Sequence, residues 1–240
     1  MFSLIGRILF LVFAFTSLLK YFISTKEAVR DEMEPMLAPF SDDLKESIIH
    51  NLASVYFTEK KLSTRLHMVV TCPIALGLLI QLTPAIRSKF PQVHRIVGRF
   101  TLLLSILMTP HWLLFIFNFK VSKGTQLLEL PLALAIPYFS FNGYQQIKTG
   151  KVKQHRVSMI FLSACFFFFG VQRIIMVLWV LFHSSKAVAA FSPISKYTGD
   201  WDFDYWRNYY FTGCSLIGQI IVWYGAYRYA YSNNRTQTSI

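Results

Sequence analysis

Residues 157–183 read VSMIFLSACFFFFGVQRIIMVLWVLFH, and Arg173 is the only residue among them that carries a full charge. A helix rises about 1.5 Å per residue, so roughly 20 predominantly apolar residues cross the hydrocarbon core of a bilayer. Four other stretches of similar length contain at most one Lys, Arg, Asp or Glu: 66–86, 100–119, 124–147 and 208–227. This pattern predicts an all-α protein that crosses a membrane several times.

The composition supports a membrane protein and excludes several other classes. Of the 240 residues, 54% are hydrophobic and 15% are charged, whereas soluble globular proteins carry about 25% charged residues. An intrinsically disordered chain is excluded, because disorder requires low hydrophobicity. The three cysteines lie in apolar stretches, so they are expected to be buried thiols rather than parts of a disulfide framework.

The sequence divides into four parts. Residues 1–23 are a signal anchor or first transmembrane helix, and residues 24–64 are an extramembrane segment with an amphipathic helix. Residues 65–232 are a membrane bundle, and residues 233–240 are a C-terminal tail. An anchor is favoured over a cleaved signal because no small-x-small cleavage site follows the first apolar run. The predicted fold is therefore a polytopic transmembrane helical bundle of about six spans. Its four-helix core runs from about Leu66 to His183.

The positive charge lies mainly beside the apolar runs. The net charge is +12, and eight of the twelve acidic residues lie between Glu27 and Glu59. The loops 87–95 and 148–156 contain several basic residues and no acidic one, so both loops and both termini are predicted to face the cytoplasm. This distribution favours anionic lipid headgroups over nucleic acid as the partner. Asn234 begins an Asn-X-Thr sequon and should stay unglycosylated in this orientation; a glycan there would contradict it.

The two basic loops end in the same way. Arg87 lies seven positions before His94-Arg95, and Lys148 lies seven positions before His155-Arg156. This spacing is consistent with an internal duplication of a helical hairpin. Each pair starts a predicted helix, where unpaired N–H groups and the positive end of the helix dipole attract anions. The candidate site for an anion or a lipid phosphate comprises His94, Arg95, Arg99, His155 and Arg156. The alternative is that these residues only determine the orientation of the chain in the membrane.

The segment His94-Arg95-Ile-Val-Gly98-Arg99 resembles the HRxxGR signature of domain-of-unknown-function family 2306, which comprises predicted polytopic membrane proteins. His155-Arg156 with Met159 and Arg173 is similar to a second block of that family, and His67 also fits its pattern. The resemblance covers roughly residues 65–180. The resemblance implies the same membrane architecture and does not imply any particular reaction.

Histidines at similar depths suggest a second hypothesis, a b-type haem. Such a haem needs two imidazoles from facing helices. His67 and His111 are predicted toward the outer side of the bundle, and His94 and His155 toward the inner side. These four residues are the candidate haem ligands, with His67 and His111 the best placed.

Two charged residues fall inside predicted spans, where charges are costly and usually paired or functional. Arg173 is deep in one span, and Glu129 is near the outer end of the preceding one. The two helices run antiparallel, so we expect a buried ion pair between them. Such a pair either holds the register of the helices or forms a polar site for a substrate or a proton.

Three functional classes stay open at this point. The first is a binding or transport protein with an inner anion site, the second is a haem protein that moves electrons across the bilayer, and the third is a structural assembly subunit. No P-loop, GxSxG, HExxH or CxxC signature occurs, so no enzymatic activity or metal site is predicted. The expected partners are the bilayer, its anionic lipids and, in an oligomer, other copies of the chain or other subunits.

Overall fold

The computed structural model describes residues 61–118, 123–182 and 201–232, together with Arg30, Glu34, Asp42, Lys45, Glu46 and Ile49. The predicted signal anchor and the C-terminal tail lie outside these residues, as does most of the segment 24–64. Within that segment, Asp42, Lys45, Glu46 and Ile49 are helical, and Ile49 is buried whereas Asp42 and Glu46 are exposed. The Glu46 carboxylate accepts hydrogen bonds from Arg30 at 2.6 and 2.8 Å.

Seven helices follow one another along the main described ranges, and these ranges contain no strand. They are α1 (Lys61–Leu82), α2 (Pro84–Lys89), α3 (Pro91–Leu107), α4 (Thr109–Asn118), α5 (Lys123–Lys148), α6 (Val152–Phe182) and α7 (Trp201–Ser232). The predicted all-α class is confirmed.

Prolines determine where several helices begin. Pro84 and Pro91 are the first residues of α2 and α3, a position that tolerates proline because its missing N–H would have no partner in the helix. Pro110 lies in the first turn of α4, directly after the bend of 40° that separates α3 from α4. The turn between α5 and α6 depends on Gly150, whose φ of 73° is unfavourable for residues with a β-carbon.

One described helix, over Val152–Met176, is long and apolar enough to cross a bilayer by itself. The bent pair α3–α4 makes a second span if its two helices cross together. The apolar part of α1, Val69–Leu82, is shorter. The described residues therefore support a helical membrane protein, whereas the six-span topology stays a prediction.

The helices pack around a buried apolar core that includes Ile74 on α1, Leu132 and Ile136 on α5, and Leu162 and Phe168 on α6. Helix α6 lies between α5 and α7, and α3 packs against both α1 and α5.

Glycines allow helices to approach closely at several points, two of them within the hairpins. A β-carbon on Gly77 of α1 would overlap the hydroxyl of Thr101 on α3, and one on Gly143 of α5 would overlap the methyl group of Met159 on α6. The first contact joins α1 and α3, which form a hairpin through the short helix α2, and the second joins α5 and α6, which form another. Each hairpin is therefore closely packed.

Candidate functional site

The two His-Arg pairs lie at the starts of α3 and α6, and we call this end of the molecule the basic end. The Gln81 amide on α1 donates a hydrogen bond of 2.8 Å to the backbone oxygen of His94. The His155 ring lies 2.8 Å through Nδ1 from the backbone oxygen of Gly143 on α5. A carbonyl oxygen only accepts hydrogen bonds, so the Nδ1 atom of His155 carries the proton. Each hairpin is thus joined at its basic end by a contact of the histidine.

Positive charges converge on His94. The guanidinium groups of Arg87 and Arg95 act electrostatically on its ring, and so does His155 from the other hairpin. The Nδ1 atom of His94 is buried and has no hydrogen-bond partner. Two arginines and His155 thus act on a histidine whose Nδ1 atom has no hydrogen-bond partner in the protein.

The other members of the candidate anion site lie nearby along the same helices. Arg95 and Arg99 are exposed on α3, four positions apart and hence on one face of the helix. Arg156 is half-buried at the start of α6. Two turns of helix thus present the predicted residues at the basic end.

His67 and His111 lie close together at the opposite end, which we call the distal end. Their ring centroids are 6.1 Å apart. The ring of His67 is also stacked on Phe115 with a centroid distance of 4.4 Å, and it lies 6.0 Å from Trp112. Trp112 was not predicted as a site residue, because a tryptophan in an apolar run is expected simply to pack in the core.

Glu129 has a direct partner that the sequence did not indicate. Its carboxylate accepts a hydrogen bond of 3.1 Å from Gln172 on α6, and the same amide group lies 2.5 Å from the hydroxyl of Ser215 on α7. Gln172 and Ser215 are buried. The three residues therefore join α5, α6 and α7 inside the bundle.

Arg173 acts at longer range. It interacts electrostatically with Glu129 and with His67, and its side chain is exposed at the surface of α6. The predicted ion pair of Glu129 and Arg173 stays a prediction. The hydrogen bond of Glu129 is made to the residue that precedes Arg173.

The two hairpins repeat one spacing. His67 lies 14 positions before Gln81, and Glu129 lies 14 positions before Gly143; Gln81 and Gly143 are the residues that contact the two histidines of the basic end. In the following helices, His111 and Gln172 lie 17 positions after His94 and His155. Each hairpin thus carries a hydrogen bond at the basic end and a pair of neighbouring polar residues at the distal end.

No group of three or more His, Cys, Asp or Glu residues that could hold a metal ion occurs in the described parts of the chain. The cysteines Cys72, Cys165 and Cys214 are buried thiols that form no disulfide within the described residues.

Comparison with protein families gives one match. The family described as "Predicted membrane protein (DUF2306)" matches residues 64–195, a range that contains both hairpins and the HRxxGR segment. No curated protein and no solved structure matches the chain. Because the match covers more than half of the sequence, the chain belongs to the DUF2306 family of predicted membrane proteins.

Proposed function

We propose that the protein is a membrane-embedded binding protein that holds a phosphate group, such as that of an anionic lipid, at its basic end. The observation that carries this proposal is the buried Nδ1 atom of His94, which has no hydrogen-bond partner and lies within the field of Arg87, Arg95 and His155. A buried polar atom without a partner is costly, and a phosphate oxygen would accept a hydrogen bond from this nitrogen in the tautomer that carries its hydrogen there.

The surrounding backbone favours the same type of ligand. Helices α3 and α6 begin at this end, with 17 and 31 residues respectively. The positive ends of their dipoles add to the side-chain charges. Arginine binds phosphate through two parallel hydrogen bonds, so Arg95 is the residue expected to contribute most. We further propose that this end faces the cytoplasm, in accordance with the positive-inside rule.

Removal of either side chain should weaken phosphate binding. In the purified full chain, His94→Ala and Arg95→Ala should each reduce retention of phosphatidylglycerol about tenfold, since a hydrogen bond to a charged group contributes roughly 1.5–3 kcal/mol. His94→Ala is a suitable test because the hydrogen bond from Gln81 is made to the backbone oxygen of His94, so removal of the ring leaves that bond intact. Native mass spectrometry over a lipid titration measures the effect.

Arg228→Ala is the matched control, because Arg228 is an exposed arginine near the C-terminal end of α7 that is absent from the groups acting on His94. It should change binding less than twofold. A parallel titration with inorganic phosphate distinguishes recognition of a lipid from recognition of the free anion. If all three variants lose lipid binding equally, general attraction between charges would explain the binding, and the proposal would be overturned.

A b-type haem at the distal end is the second candidate. The observation in its favour is the separation of 6.1 Å between the rings of His67 and His111, which belong to facing helices. Two such imidazoles could serve as axial ligands of one iron, and the haem would then supply one-electron chemistry. The absorption spectrum of the reduced, purified protein tests this alternative: a bound haem would give a Soret band with sharp α and β bands, and colourless protein contradicts it.

A further inference from the structure

Three buried polar atoms near the distal end have no hydrogen-bond partner. They are Nδ1 of His67, Oγ1 of Thr71 and Nε1 of Trp112. The side chain of Trp112 is only 4% exposed. Away from water, an unsatisfied polar atom costs free energy that the folded protein must offset elsewhere. Three such atoms in one region therefore suggest that a ligand supplies the partners.

These atoms lie close to one another. His67 and Thr71 are four positions apart on α1 and hence on the same face of that helix. The ring of His67 lies 6.0 Å from that of Trp112 on α4. We call His67, Thr71 and Trp112 the distal donor group.

The chemistry of the group favours an oxygen acceptor with negative charge. An indole nitrogen only donates hydrogen bonds, and the threonine hydroxyl and an imidazole can donate as well. Arg173 adds a positive charge that acts on His67. The carboxylate of Glu129 also interacts with Arg173, but it already accepts a hydrogen bond from Gln172. A carboxylate ligand would satisfy the remaining donors.

The surroundings of the group are apolar. Trp112 packs edge-on against Phe166 and Phe169 of α6, at centroid distances of 5.1 and 5.3 Å, and Phe115 covers one face of His67. The side chain of Arg173 is exposed on α6, on a helix that is long and apolar enough to cross a bilayer. A ligand bound to these donors would therefore have apolar side chains around it, which favours a ligand with an apolar tail.

From these observations we propose that the distal donor group binds the carboxylate of a lipophilic acid, such as a long-chain fatty acid, which enters from the bilayer. This site lies at the opposite end of the hairpins from the proposed phosphate site and is independent of it.

Two conservative substitutions test the site. Thr71→Val and Trp112→Phe each remove one donor that makes no hydrogen bond in the protein. Both variants should bind radiolabelled oleate about tenfold more weakly, because each loses a hydrogen bond to a charged group. Thr71→Val should leave the melting temperature of the ligand-free protein unchanged or raise it, since it removes an unsatisfied polar atom. The measurements are equilibrium binding and thermal unfolding of the purified full chain in detergent.

Thr109→Val is the matched control, because the Thr109 hydroxyl donates to the backbone oxygen of Ser105 at 3.1 Å. It should lower the melting temperature slightly and leave oleate binding intact. His94→Ala should also leave oleate binding intact, which separates this site from the phosphate site. Methyl oleate should not compete with oleate.

Several outcomes would overturn the proposal. Equal competition by methyl oleate would indicate simple partition into the apolar interior. Saturable binding of a neutral quinone analogue, together with no saturable binding of oleate, would identify a neutral acceptor instead. A Soret band in the purified protein would assign the histidines to haem, and unchanged oleate binding in both variants would exclude the donor group.

Discussion

Replacing Gly77 by alanine should destabilise the protein by about 1–3 kcal/mol, the range expected for overpacking in a close-packed interior. The new β-carbon would overlap the hydroxyl of Thr101. Thr101 cannot easily turn away, because it is 2% exposed and its hydroxyl donates to the backbone oxygen of Val97 at 2.8 Å. The alanine would therefore push α1 away from α3. Thermal unfolding of the detergent-solubilised protein, followed by size-exclusion chromatography, measures the loss.

Gly213→Ala is the matched control, because no atom lies within 4 Å of the position that its β-carbon would take. This variant should be neutral or more stable, since alanine favours a helix over glycine by up to about 1 kcal/mol. Thr101→Ala should rescue Gly77→Ala in part, because it removes the overlapping hydroxyl. Strictly additive effects of the two substitutions would show that the side chain of Thr101 is not the obstacle.

Replacing Gln172 by leucine should cost about 3 kcal/mol. The substitution removes the donor that faces the carboxylate of Glu129 and the hydroxyl of Ser215. Glu129 would keep its interactions with Ser215 and Arg173, but a buried charge that loses a hydrogen-bond donor is costly, whereas replacing both partners by apolar residues is often nearly neutral. The double variant Gln172→Leu/Glu129→Leu should therefore recover most of the stability lost by the single one. Thermal unfolding under the same conditions is the measurement.

Gln219→Leu is the control for the loss of a neutral hydrogen bond. The Gln219 amide donates to the backbone oxygen of Leu128 at 2.6 Å, and side-chain hydrogen bonds in membrane bundles contribute about 0.6 kcal/mol on average. Its loss should be clearly smaller than that of Gln172→Leu. A larger loss from Arg173→Gln than from Gln172→Leu would instead identify the guanidinium as the main partner of Glu129, in accordance with the ion pair predicted from the sequence.

The helical class could be predicted because long apolar runs in a chain of low charge have few other structures open to them. The number of spans could not be predicted from the apolar runs alone. The bend between α3 and α4 interrupts an uncharged run of 20 residues, and such a bend depends on the packing of neighbouring helices as well as on Pro110.

The partner of Glu129 could not be predicted for a different reason. Gln172 and Arg173 are consecutive, so their side chains leave α6 about 100° apart. Only the rotation of the helix decides which of them faces Glu129. That rotation is usually read from an apolar stripe, and residues 157–171 contain no charged residue that would define one. A neutral amide in an apolar run is also a weaker sequence signal of a polar contact than the charged residue beside it.

The repeated spacing of the hairpins has a consequence for hydrophobic matching. Fourteen residues of helix correspond to about 21 Å, and the 17 positions from His155 to Gln172 along α6 correspond to about 25 Å. These lengths separate the basic end from the distal end, and the bend between α3 and α4 shortens the corresponding path in the first hairpin. A typical hydrocarbon core is about 30 Å thick. With the basic end at one surface, the distal contacts would therefore lie just beneath the opposite headgroups, where a thinner bilayer or local thinning would bring them to the interface. The carboxylate of a fatty acid prefers the same depth, with its tail in the hydrocarbon.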